Sequence, residues 1–145
     1  MSERPLPPGR VDFPVFREIT TRWADNDMYG HVNNATYYSF MDTVVTTHLL
    51  DEGFLTPARS AVIGLTVASS CTYFALLAYP DAVTGGLRAG RIGGSSVTYE
   101  VALFRGDADM AASLGSFTHV YVDAATRKPI ALPAALRAIA EALAV

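Results

Sequence analysis

From Ser60 onward the chain changes character. Residues 61–73, 82–92, 95–104 and 110–122 are rich in Val, Thr, Tyr and Phe, a composition that suits a pleated, half-buried surface. The separators are Tyr79-Pro80-Asp81, Gly93-Gly94 and Arg105-Gly106-Asp107, which is turn chemistry. Four successive strands with short links predict an antiparallel meander. A further strand is expected over 16–23, where Phe16, Ile19 and Trp23 stand among polar neighbours.

Ahead of the four strands lies one long helical stripe. Tyr37, Met41, Val44 and His48 recur at helical spacing; Tyr38, Val45 and Leu49 form a second row, and Phe40 widens it. Asn33 or Asn34 is the expected N-cap, because an Asn side chain accepts from an orphan first-turn amide. Gly53 is a natural stop. So wide a stripe predicts a helix buried on more than one side. A second, Ala-rich helix is expected over 132–144, with Pro133 near its first turn. The order is strand, long helix, four strands, short helix, which is an α+β architecture. One domain spans 1–145, with residues 1–13, rich in Pro and charge, as a mobile lead-in.

Composition narrows the function classes. The chain has 145 residues, 50% hydrophobic and 17% charged, which excludes a disordered chain. Eleven Lys and Arg against 14 Asp and Glu give a net charge of −3, against a nucleic-acid partner that needs a basic face. Cys71 is alone, so neither an internal disulfide nor a Cys-based zinc site is expected. The longest apolar run, 73–79, is seven residues, against about 20 for a membrane span. The N-terminus carries no apolar signal core. A soluble cytoplasmic protein without a membrane partner is expected. One sheet over one helix leaves an edge and a face without cover, so a homo-oligomer is expected as well.

Asp25, Asp27 and His31 cluster directly before the helix, and several readings compete. In one, the carboxylates of a polar loop simply favour the positive helix start. A calcium loop would need an oxygen ligand at Tyr29 and a Glu at Thr36, and fails on both. One imidazole and two carboxylates make a weak transition-metal set, so no metal is expected. In the enzymatic reading, a loop carboxylate attacks a carbonyl or activates water, and nearby helix-start amides hold the developing oxyanion. That pairing suits acyl transfer.

The segment Arg22-Trp-Ala-Asp-Asn-Asp-Met-Tyr-Gly-His-Val-Asn-Asn-Ala-Thr-Tyr37 resembles the signature of hotdog-fold acyl-CoA thioesterases of the 4-hydroxybenzoyl-CoA thioesterase type. Gly93-Gly-Ser-Ser-Val-Thr-Tyr-Glu100 resembles a second segment common there. The resemblance runs from about residue 16 to 122 and implies a hotdog fold: a long central helix wrapped by an antiparallel sheet of about five strands. It places the catalytic carboxylate at Asp27 and the polarising amide at Asn34, and leaves Asp25 structural. His31 orders Asp27, contacts substrate or holds the loop. Some relatives carry the carboxylate on the helix, which here is Asp42. Arg91, Ser95 and Ser96 are the candidates for contact with the pantetheine arm or phosphates of coenzyme A, with Arg88 behind them; a plain polar hairpin is the competing reading.

The implied reaction hydrolyses an acyl-CoA to a free acid and coenzyme A. It needs no cofactor beyond the coenzyme A of the substrate, in a dimer or dimer of dimers with shared sites. The alternatives are a hotdog enoyl-CoA hydratase or dehydratase, and a non-catalytic acyl-CoA or acyl-carrier-protein binding module. Hydratases of this fold carry Asp and His five apart, whereas Asp27 and His31 are four apart. Ser69 and Ser70 lack a nucleophile elbow. Cys71, His48, His119, Tyr37 and Tyr38 read as packing residues.

Overall fold

In a computed structural model, which describes residues 5–56 and 58–145, five strands and two α-helices follow in the order β1 (Val15–Ile19), α1 (Asn34–Asp51), β2 (Val62–Tyr73), β3 (Val83–Ile92), β4 (Ser96–Arg105), β5 (Ser113–Asp123) and α2 (Ala134–Leu143). The strands form one antiparallel sheet in the order β1-β3-β4-β5-β2. The expected meander holds for β3, β4 and β5 only. β2 pairs with β5 rather than β3, because the link after it is no hairpin turn. Residues 74–82 cross three strand spacings, about 14 Å, to start β3. The first strand is also shorter than expected: Trp23 belongs to a 3-10 turn, Trp23–Asp25, that opens the following loop.

Helix α1 lies across the inner face of the sheet. Tyr37, Phe40, Met41, Val44, Val45, His48 and Leu49 are its buried residues. They meet Leu87, Val97, Tyr99, Val101, Leu103 and Phe117 from the strands. Gly85 and Gly115 set the closeness of that contact. A Cβ on Gly85 would sit 2.5 Å from Val44 Cγ2, and one on Gly115 would overlap Met41. The helix is not enclosed: Ser39, Asp42, Thr43 and Leu50 stay exposed, so within one protomer its burial is one-sided, wide though the stripe is.

Leu136, Ala140 and Leu143 of α2 join the same core. Pro133 is its N-cap, and the Arg137 guanidinium donates to Gly93 O at 2.9 Å, tying α2 to the β3–β4 hairpin. On the outer face, Phe13, Ala102, Phe104 and Ala111 form a second small cluster. The described part of the lead-in is docked there: Ala111 N donates to Pro8 O at 2.9 Å, and Arg10 lies over the Phe104 ring. Residues 1–4 lie outside the described residues.

The two sheet edges differ. β1 is five residues long and carries Arg17 and Glu18. β2 is twelve residues long and carries no charged side chain; Leu65 and Val67 are exposed on it. Charges and shortness protect an edge, and β2 has neither. No helix among the described residues is long and apolar enough to cross a membrane.

Candidate active site at the start of the long helix

The loop between β1 and α1 is built from its own backbone. Asp25 is buried; its Oδ2 accepts from Arg22 N at 2.8 Å, its Oδ1 from the Arg22 guanidinium at 2.9 Å, and its carbonyl from Asn33 N at 2.9 Å. Both carboxylate oxygens are therefore committed to holding the turn, the structural place expected for Asp25. Asp27 is different. Its Oδ1 accepts from Tyr29 N at 2.8 Å, while Oδ2 has no hydrogen bond among the described residues. The residue is half-buried. Its carboxylate is thus oriented by one oxygen and open at the other.

His31 reaches Asp27 through the main chain. Asp27 N donates to His31 O at 2.9 Å, and Gly30 N donates to Asp27 O at 3.1 Å. Gly30 takes φ +87° in that turn, a conformation glycine adopts without a Cβ clash. The His31 ring stacks on Tyr29 at 6.5 Å.

Asn33 is the N-cap, its Oδ1 accepting from Ala35 N at 2.9 Å. Asn34 is the first helical residue and exposed. Its amide is one of the four that a helix leaves without an intrahelical acceptor. Its carbonyl accepts from the Tyr73 hydroxyl at 3.2 Å, which ties the helix start to the far end of β2. Val32 N donates to Leu77 O at 2.7 Å, and Tyr79 N to Asn26 Oδ1 at 2.9 Å. The loop is thereby stitched to the segment that leads into β3.

Asp27 and His31 share the turn that precedes α1, and Asn34 opens that helix. Arg91, Ser95 and Ser96 do not join them in one protomer. They sit at the β3–β4 hairpin, about 30 Å along β3 from the Asp27 loop. Arg88 is engaged elsewhere, paired with Glu100 at 2.9 Å and lying over Phe13. Asp42 lies about 12 Å along α1 from Asn34, in a separate cleft. No group of three or more His, Cys, Asp or Glu close enough to hold a metal occurs among the described residues.

That cleft, of about 540 Å³, lies between the second half of α1, residues 55, 56 and 58–60, the start of β2 and the end of β5; Asp42, Arg59, Ile63, Gly64, His119 and Arg127 are among its walls. Burial pushes the His119 imidazole pKa down, against the opposing pull of Asp42. Tyr121, also in the wall, shares a 2.6 Å hydrogen bond with Tyr99. Burial pushes Tyr99 up to about 12 and raises Tyr121 as well, so both hydroxyls stay protonated at neutral pH. Sequence reasoning did not find this cleft. Its residues come from four separated segments with no shared motif, and His119 read as a packing residue.

Comparison with known proteins agrees with the fold. The family model of the thioesterase-like superfamily matches residues 21–140. The PA5185 protein of Pseudomonas aeruginosa is 48% identical over 95% of this chain and 96% of its own, with a TM-score of 0.92. A thioesterase from Thermus thermophilus, solved with coenzyme A and zinc, is 26% identical over 91% of this chain and 95% of its own, with a TM-score of 0.73. A 1,4-dihydroxy-2-naphthoyl-CoA thioesterase from Synechocystis shares the fold, at 16% identity over 86% of this chain and 93% of its own, with a TM-score of 0.76. No curated protein matches the chain. With the family model spanning most of its length and a five-stranded antiparallel sheet packed on one long helix, the chain belongs to the thioesterase-like superfamily of hotdog-fold thioester hydrolases.

Proposed function

We propose that this protein hydrolyses an acyl-CoA thioester to a carboxylic acid and coenzyme A. The observation that carries the reading is the Asp27 carboxylate, held by Tyr29 N through one oxygen and open at the other, in the loop that leads into α1. The open oxygen attacks the thioester carbonyl or takes a proton from water attacking it. The Asn34 amide, together with the helix dipole, stabilises the oxyanion that develops. His31 supports the turn that aims Asp27. The Thermus relative solved with coenzyme A supports the choice of thiol. No metal or redox cofactor has a part in this scheme, so turnover survives exhaustive chelation. A lone free thiol at Cys71 suits a cytoplasmic setting.

The same reading takes the working form to be a homodimer, alone or as half of a tetramer, joined edge to edge at β2. A two-fold antiparallel pairing of Val62–Tyr73 with its own copy satisfies the open amides and carbonyls of that edge. It also lays Tyr73, bonded to Asn34, against the start of the neighbouring β2, beside that copy's cleft and hairpin. Arg91, Ser95 and Ser96 would then serve the site of the other subunit.

The test is thiol release from a panel of acyl-CoA substrates by the wild-type protein and Asp27→Asn. Loss of about 10²–10⁴-fold in kcat with an unchanged melting temperature is expected. Near-normal turnover by Asp27→Asn, with Asp42→Asn dead, would transfer the reaction to the helix carboxylate.

A further inference from the structure

The cleft holds a second piece of chemistry that Asp27 does not explain. Among the described residues, Arg17, Arg22, Arg88 and Arg105 are in ion pairs, and Arg10 and Arg137 donate to carbonyls. No such partner is found there for Arg59, Arg91 or Arg127; of these, the exposed Arg59 and Arg127 line this one cleft, and Arg91 does not. The wall around them is apolar in part, with Leu49, Leu55 and Ile63. Asp42 is the one carboxylate in the wall, against two arginines. The His119 pKa is pushed down by burial, which adds no positive charge at neutral pH.

Backbone strain falls in the same place. Ala58 at φ +59° and Arg127 at φ +62° are the non-glycine residues with left-handed backbone among the described residues, and both line the cleft. Such a conformation is disfavoured for a residue with a Cβ and persists where the surroundings impose it. At Arg127 the surroundings are explicit. Asp123 Oδ1 accepts from Ala125 N at 2.9 Å and Thr126 N at 2.8 Å, and Arg127 N donates to Asp123 O at 2.8 Å. A glycine would fit this turn without strain, yet the turn carries an arginine, and that arginine lines the cleft.

We infer that Arg59 and Arg127 form an anion subsite on the rim of this cleft, which takes a negatively charged group attached to an apolar body. The inference rests on the thioesterase reading for its substrates. A fork of guanidinium donors matches a phosphate or a carboxylate. On a thioester substrate that anion has two sources: the phosphates of coenzyme A, or a carboxylate at the far end of the acyl group.

The experiment compares wild-type protein with the double variant Arg59→Ala/Arg127→Gly, in which glycine relieves the strain at 127, and with Arg59→Lys/Arg127→Lys. Three substrates share one chain length: an acyl-CoA, the same acyl group on N-acetylcysteamine, and an ω-carboxyacyl group on N-acetylcysteamine. KM for the acyl-CoA should rise about tenfold or more in the double variant if coenzyme A phosphate is the anion. The ω-carboxyacyl thioester should show that rise if the anion is the distal carboxylate. In both cases the uncharged thioester keeps its KM, and the lysine variant recovers part of the loss. An equal rise for the uncharged thioester, or no rise for either anionic one, overturns the subsite. Calorimetric binding of free coenzyme A and of hexanoate reads the same arginines without turnover. The subsite is therefore judged separately from hydrolysis: loss of that binding in the variant supports it even for a protein inert on thioesters, and unchanged binding counts against it.

Discussion

The carbonyl of His31, not its imidazole, holds Asp27: Asp27 N donates to His31 O at 2.9 Å, while the ring stacks on Tyr29. Any side chain at 31 supplies that carbonyl. His31→Ala should therefore keep most of its turnover. The loss should stay well below the roughly 10²-fold minimum expected when a general acid or base is removed. A His31→Ala protein as inactive as Asp27→Asn would give the ring a direct part in the reaction.

Asp25→Asn should fail in a different way from Asp27→Asn. Asp25 is buried and accepts from both the amide and the guanidinium of Arg22. An Asn at that position keeps one acceptor oxygen and turns an NH₂ toward a donor. The expected cost is about 1–3 kcal/mol of stability, read as a lower melting temperature, with kcat largely retained in the folded fraction. A full-stability Asp25→Asn with no turnover would exchange the roles of the two carboxylates.

Much of this was legible in the sequence because it is local. The rows from Tyr37 to Leu49 and the Asn33 cap each depend on residues a turn apart, and all of them appear in α1. The pairing of β2 with β5 depends on what closes a sheet across about 50 residues of chain, and periodicity is silent on that. The same limit hid the cleft. Gly64 and His119 become neighbours through that pairing, and Asp42 and Arg59 meet them only in the folded chain, whereas Asp27 and Asn34 lie on one loop and the helix start it leads into.

Gly85→Ala should loosen the helix from the sheet. Its Cβ would stand 2.5 Å from Val44 Cγ2, well inside van der Waals contact. Overpacking of this kind costs about 1–3 kcal/mol. Val44→Ala alone should also destabilise, by leaving a cavity. The two changes together should lose less than their sum, because one methyl fills the space the other vacates. Additive losses in denaturant titrations would mean that the strand, not Val44, absorbs the clash.

Stability should fall as the solution is made mildly acidic. Burial, with Arg17 beside it, lowers the His48 pKa below 6.5; burial likewise lowers that of His119. The Arg17 guanidinium lies 3.2 Å from His48 Nδ1, a contact that suits a neutral ring as acceptor. The folded chain therefore binds these protons less readily than the unfolded chain. Their contribution is fully present above 6.5 and is lost as pH falls through that value toward the folded pKa values. The melting temperature should drop between about pH 7.5 and about pH 5.5, and His48→Gln/His119→Gln should flatten the slope. A wild-type protein equally stable at both pH values would contradict this assignment.

The edge of β2 should be where two copies meet. Over Val62–Tyr73 it has no charge, and it exposes Leu65 and Val67. β1, the other edge, is short and carries Arg17 and Glu18. Unprotected backbone donors and acceptors along twelve residues favour pairing with an identical strand, and a closed two-fold contact leaves no further edge open there. Val67 sits at the β2 bulge, where the register to β5 shifts between Thr66 and Ala68, so its side chain can change without disturbing a ladder pair within the protomer. Val67→Lys should place two like charges close to the two-fold axis and weaken the dimer while the protomer stays folded. Light scattering should then show a smaller mass than wild type at equal concentration. Thiol release per chain should fall in parallel if the proposed shared site holds, because the hairpin of Arg91 and the cleft of Arg59 would be withdrawn from the partner's Asp27. A wild-type monomer with full turnover per chain would rule out both the edge-to-edge dimer and the shared site. A monomeric Val67→Lys with undiminished turnover would confine each site to one protomer.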